Sequence, residues 1–209
     1  LGMVAWREEQ GTVGDTTAFK FGGSSGTDLT QRGTDQAIGS PNANGTVWDR
    51  APGPSGATSA YAAFSGPPQT AAIAAAFYTG VDQTTPVAGT ADNSGSASGV
   101  ASTIASVTIT GCTPGERVVA AFFFYSPDTD IAAPTEVTGS DLRQSAIDTF
   151  VGIIGTAIAD TIASGTSATV EIQLETNQAT ATFEWAARAL RLTGAAAGGI
   201  PAEASDSPS

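Results

Sequence analysis

The sequence predicts an all-β protein: an antiparallel, two-sheet β-sandwich, jelly-roll-like, built on an internal pseudo-two-fold repeat. Three observations carry that prediction. Gly (25 residues) and Pro (11) recur between short apolar runs, the punctuation of a chain with many strands and turns. The clearest run alternates, with Val170, Ile172 and Leu174 set against Glu171, Gln173 and Glu175, the period of a half-buried strand. The chain also nearly repeats itself. An Ala-rich stretch over 71–80 is matched by 179–194, each follows a strand-like segment (57–64 and 168–174), and Met3-Val-Ala-Trp6 faces Val118-Val-Ala-Ala121. Half-repeats of 3–80 and 118–194 are too long for solenoid units and suit two halves of one sandwich domain over 1–194.

Taken in order, residues 1–6 read as a strand that starts at Leu1, and residues 17–21 alternate before Gly22-Gly-Ser-Ser-Gly26 breaks them. Residues 29–38 make a weak strand. Asn44-Gly45 is the preferred pair of a tight hairpin turn and places one before Val47 and Trp48. Asn44-Gly45-Thr46 also fits a glycosylation acceptor, but the turn is the preferred reading. In 58–64, Thr58, Ala60, Ala62 and Phe64 share a face and Tyr61 takes the other.

Alanine is the best helix former, so 71–78 and 184–191 both need a decision. The first is short, follows Pro67-Pro68 and has no helical charge pattern, so it is a strand. The second is a strand because its repeat partner is one. Residues 87–99, rich in Gly, Ser, Ala and Asp, read as a loop, and Ser102–Thr110 as a clean strand. In 118–125, Phe122 and Phe124 fall on one face while Phe123 and Tyr125 fall on the other, so both faces must be covered. The core covers one, and a loop or another subunit is expected on the second. Residues 150–158 and 168–174 are further strands. Residues 195–209 have nothing to bury and read as a flexible or partner-bound tail.

Charge and residue type exclude several functions. With 20 acidic against 8 basic side chains the net charge is −12, which leaves no basic surface for nucleic acid. No run of eighteen apolar residues is present for a membrane span, and no signal peptide is expected from the first residues. Cys112 is the single cysteine, in a Gly-Cys-Thr-Pro-Gly turn, and the chain has no histidine to activate a nucleophile or bind zinc. Asp82, Asp92, Asp128, Asp130 and Asp160 are expected in loops, and no spacing pairs two of them for glycoside hydrolysis. Asp128 and Asp130 are the calcium candidates, supplying two of the six to eight oxygens the ion takes. Tyr61 with Trp48 is the candidate sugar-stacking platform. No catalytic residue and no cofactor is predicted.

Tyr78-Thr-Gly-Val-Asp82 followed by Thr85-Pro86, with Glu116-Arg-Val-Val-Ala-Ala-Phe122 opening the second half, resembles a β-sandwich domain of tailed-phage virion and tail proteins and of bacterial surface proteins. The likeness spans most of 1–194. Two departures stand out: no strand precedes Leu1, and the tryptophan of the family's turn is replaced near Pro134 by Thr135-Glu136-Val137. The resemblance implies a non-enzymatic structural protein located in the virion: a head decoration, fibre or tail-associated protein contacting other virion subunits or its own copies. The alternative is an extracellular or surface carbohydrate-binding or adhesion module meeting a host-surface glycan. Because Ser102–Thr110 introduces the second half and nothing introduces the first, a strand position is expected to stand empty beside Met3–Trp6 or beside its neighbour in the sheet. Leu1, Val4, Trp6, Phe123 and Tyr125 are the predicted interface residues.

Overall fold

The computed structural model describes residues 2–9, 16–38, 43–52, 59–64, 70–127, 131–149 and 153–194. The first part of the chain forms β1 (Gly2–Glu9), β2 (Thr16–Phe21), β3 (Thr27–Asp28), β4 (Thr30–Gln31), β5 (Gln36–Ala37), β6 (Ala43–Arg50), β7 (Ala60–Phe64) and β8 (Thr70–Phe77). The second forms β9 (Val87–Val100), β10 (Ser102–Thr110), β11 (Arg117–Ser126), β12 (Thr135–Glu136), β13 (Asp141–Asp148), β14 (Ile153–Ile162), β15 (Ser167–Glu175) and β16 (Ala181–Leu192). Among the described residues every regular element is a strand and all strand pairs are antiparallel. The Ala-rich runs are both strands, the first as its lack of a helical charge pattern indicates and the second as its likeness to the first indicates.

The strands lie in four sheets, ordered β3-β2-β7, β4-β6-β1-β8 (with β5 also on β6), β13-β14-β11-β16-β9 and β10-β15-β12. Three apolar layers hold them together. Phe19 and Phe21 of β2 meet Trp48, Ile73 and Ala75. Val47, Ala74 and Ala76 on the opposite face of that second sheet meet Val119, Ala121, Phe123 and Leu190. The far face of the third sheet, through Phe122, Phe124 and Phe183, meets Val107, Val170 and Ile172 of the fourth. The sandwich expectation holds, but two sheets is an undercount: both inner sheets are covered on both faces, and alternation reports that a face is buried without naming what buries it.

Phe123 shows the consequence. Its ring is fully buried, worth about 1.5–3 kcal/mol for a side chain of this kind, and the chain's own β6 covers it. A Cβ on Gly45 would overlap that ring. Asn44-Gly45 is therefore not a turn. It lies inside β6, opposite Glu8 and Arg7 of β1, and the glycine is there so that an aromatic ring can reach the backbone. Phe123 is thus withdrawn from the predicted interface, and Tyr125 is half-buried against the same layer.

Two other expectations are corrected, and one strand is added. Residues 87–99 are strand, paired with β16 along most of its length; the inward residues are Gly89, Ala91, Gly95 and Ala97, too small for their alternation to register as hydrophobic. Residues 141–148 form β13, whose mixed polar composition hid it. The strand opening the first half is not at an edge. Val4 lies opposite Trp48 on one side and Ala75 on the other, and Trp6 opposite Thr46 and Ile73, so β1 has a partner on both sides. Its neighbour β8 is the terminal strand of that sheet. Leu1 lies outside the described residues.

Candidate functional site

The densest group of ionisable side chains surrounds Asp160. This residue lies in β14, opposite Val119 of β11 and Asp141 of β13, and it is fully buried. Residues 158 and 160 share a face, so the carboxylate points into the layer between the second and third sheets, where Ile158 packs. Arg143 reaches it with a two-pronged fork, Nε to Oδ2 at 2.5 Å and Nη2 to Oδ1 at 2.9 Å. The β13–β14 register slips between Leu142 and Gln144, and Arg143 is the residue left over, so the bulge re-aims its side chain. Arg117, buried at the start of β11, also donates to Oδ1. The Tyr78 hydroxyl donates to Oδ2 at 3.1 Å, tying the end of β8 to the sheet beneath.

Electrostatics fix the protonation states. Burial pushes the Tyr78 phenol well above its ordinary value of 10.0, and the Asp160 charge and hydrogen bond add to that. The hydrogen bond from Arg143 to Asp160 raises the guanidinium further above its already high range. A phenol held neutral and the Arg143 guanidinium held charged have no proton to exchange near neutral pH. The arrangement locks strands together. It does not carry acid–base chemistry.

A second group joins the first half to β16. Arg188, buried at 3% exposure, grips Asp92 of β9 through Nε (2.7 Å) and Nη2 (2.8 Å). Its remaining nitrogen, Nη1, donates to the carbonyls of Arg32 and of Thr34, the latter at 2.7 Å. Gly33 sits between those carbonyls at φ 75°, and a Cβ there would overlap the guanidinium. Arg32 in turn forks onto buried Asp49 of β6, Nε to Oδ2 at 2.6 Å and Nη2 to Oδ1 at 2.8 Å.

Of the acids expected in loops, Asp92 and Asp160 are therefore in strands and ion-paired. Asp82 is in a turn, where the Thr84 and Thr85 N–H groups, each 2.8 Å away, lower its pKa. Asp128 and Asp130 lie outside the described residues; among the described ones no group of three or more His, Cys, Asp or Glu could hold a metal ion. Cys112 is buried, and desolvation followed by the Glu116 charge pushes its thiol up, away from the reactive thiolate. Trp48 and Tyr61 do not share a platform: Trp48 is buried with its Nε1 donating to Thr46 Oγ1 at 2.9 Å, while Tyr61 is 38% exposed. None of the described elements is a helix long and apolar enough to cross a membrane. Asp49, Arg117, Arg143 and Arg188 were not singled out from the sequence, yet a charge inside an apolar strand, as in Arg188 within Trp185-Ala-Ala-Arg-Ala-Leu190, is the available signal.

The second structural feature suited to a partner is an edge. β8 is eight residues long with no charge, no proline and no bulge against β1. The Arg32 N–H donates to Val47 O at 2.8 Å, so the odd residues of β6 turn their peptide groups away from β1. Carried through the antiparallel registers, this turns the peptide groups of Ile73, Ala75 and Phe77 outward, toward no described strand. Comparison with protein-family models, with curated proteins and with solved structures finds no match to this chain.

Proposed function

We propose that the protein is a non-enzymatic structural component of a virus particle, a tailed-phage head decoration, fibre or tail-associated protein, that works through contacts between subunits. The observation that carries this reading is how the fold uses its buried charge. Among the described residues, each buried charged side chain (Asp49, Arg117, Asp160, Arg188) is engaged in an ion pair that ties a strand to a neighbouring strand or to the segment beside one. Such a body is built for rigidity, and the uncharged edge at β8 gives it a means of attachment. The family resemblance in the Tyr78–Asp82 step supplies the particle.

The alternative, an adhesion module for surface glycans, draws on two exposed aromatics among the described residues, Tyr61 of β7 and Phe77 of β8, which lie on different sheets where a binding platform needs several in a row. Immunogold labelling and mass spectrometry of purified particles test the proposal. The chain is expected in fixed stoichiometry on the particle. Its absence there, with saturable binding on a glycan array, would replace the first reading by the second.

A further inference from the structure

The two halves differ in one respect that points to a binding surface. In the second half, β16 is flanked by β11 and β9, and β15 by β12 and β10. β9 runs through Ala101 straight into β10, so a single ribbon, 87–110, seals one side of both sheets. Asn93 Nδ2 closes the corner by donating to Ser106 O at 2.8 Å. In the first half, β8 lies beside β1 as β16 lies beside β11, and the registers agree: adding 115 to both members of the Met3–Ala76 pair gives the Val118–Arg191 pair. β7 precedes β8 as β15 precedes β16 and packs into the same apolar cluster as β8. Yet β7 and β8 are each terminal in their sheets, with no described strand beyond them.

We infer that the outer edges of β8 and β7 form a strand-addition site for an extended, near-neutral ribbon of another polypeptide, built like β9–β10. The other edges among the described strands are guarded. β3, β4, β5 and β12 are two residues long, β13 and β9 carry register shifts, and Asn93 meets the edge of β10. Natural edges are protected by such devices because open N–H and C=O groups recruit strands. Among the described residues β8 has none along Ile73–Phe77; at its start a side chain reaches in, Asp148 Oδ2 accepting from the Ala71 N–H at 3.4 Å.

The partner's chemistry follows from the ribbon that fills the sister position. Residues 87–110 carry a single charge, Asp92. The part beside β16 is mostly Gly, Ser and Ala, and the part beside β15 alternates Ala105, Val107 and Ile109 inward with Thr108 and Thr110 outward. A charged ribbon would have to desolvate its charges against the Ala-rich strands β7 and β8, which offer no counter-charge. Main-chain hydrogen bonds would supply affinity and the inward side chains specificity.

This deepens the assembly reading without needing the particle, and the test separates the two. A synthetic peptide of residues 87–110 is titrated into the full chain and amide hydrogen exchange is followed residue by residue. The Ile73, Ala75 and Phe77 amides should slow about tenfold, while Ala72, Ala74 and Ala76, already bonded to β1, stay as they were. A control peptide with Asn93→Pro and Val107→Pro should do nothing. Unchanged exchange at the three outward amides, equal slowing by the control, or changes confined to β15 and β16 (the peptide displacing the chain's own ribbon) would each overturn the inference. A chain absent from particles but protected by the peptide would sink only the particle reading.

Discussion

The two halves of the molecule use the same lock with different numbers of keys. In each, a strand flanking the central one carries a buried aspartate, and an arginine from the next strand outward, or just beyond it, forks onto it Nε to Oδ2 and Nη2 to Oδ1: Arg32 on Asp49, Arg143 on Asp160. Both carboxylates face the layer between the inner sheets, beside Val47 and Ile158. Asp160 then gains Arg117 and Tyr78, whereas the fork on Asp49 comes from an arginine whose side chain is 28% exposed. A carboxylate can be buried cheaply only when its lone pairs are filled, and each added donor raises the cost of removing it. The second half is therefore the more deeply committed of the two.

The widest test of that difference is removal of the acids. Asp160→Ala leaves Arg117 and Arg143 facing each other with 7% and 18% of their side chains exposed, and should cost about 3–5 kcal/mol. Asp49→Ala leaves an arginine that can turn toward water, and should cost about 1–3 kcal/mol. Urea denaturation of the two variants checks the order. Equal losses would mean that the extra donors on Asp160 add nothing.

How much of this was legible beforehand follows from what alternation can report. β8, β10, β15 and β16 are visible because large and small, or apolar and polar, side chains alternate at the strand period, β11 is visible as an apolar run bounded by turns, and β16 was separated from a helix by its likeness to β8. β9 was invisible because its inward residues are Gly and Ala. Asn44-Gly45 misled because the pair is a turn signal in isolation; its true cause, the Phe123 ring, is 78 residues away in sequence. The doubly apolar β11 did announce a second cover, but no local pattern could say that the first half of the same chain provides it. The charged locks were missed for a like reason: a fork joining Asp92 to Arg188 spans 96 residues.

Gly45 sharpens the comparison at the point where the halves touch. Gly45→Ala puts a methyl into the Phe123 ring and should cost about 1–3 kcal/mol, because a packed layer has to shift to accept it. Gly165→Ala, where a Cβ meets nothing and φ is not positive, should stay within about 0.5 kcal/mol of the parent. Thermal unfolding of both distinguishes a steric reason for Gly45 from a generic loss of backbone freedom on replacing glycine. If both variants melt alike, close approach of the ring is not what the glycine serves.

The finest test is a pH dependence that the Asp160 cluster has and the Asp49 fork lacks. In the folded chain the Tyr78 phenol is held neutral, its pKa raised above 10.0 first by burial and then by the Asp160 carboxylate. The unfolded chain loses that proton near the ordinary value, so above pH 10 the folded state binds the proton more tightly than the unfolded one. Stability from this group is thus complete below about pH 10 and falls as pH rises toward the folded pKa. Tyr78→Phe removes the titrating group and one charge-assisted hydrogen bond. At pH 7 the variant should be less stable by about 1.5–3 kcal/mol, and between pH 10 and 11 the gap should narrow, because the parent loses the Tyr78 contribution there and the variant has none to lose. Asp49, the sister acid, has no tyrosine among its hydrogen-bond partners, so Asp49→Ala should leave the alkaline slope of the parent unchanged. A gap between Tyr78→Phe and the parent that stays constant from pH 7 to 11 would show that Tyr78 does not titrate against the fold.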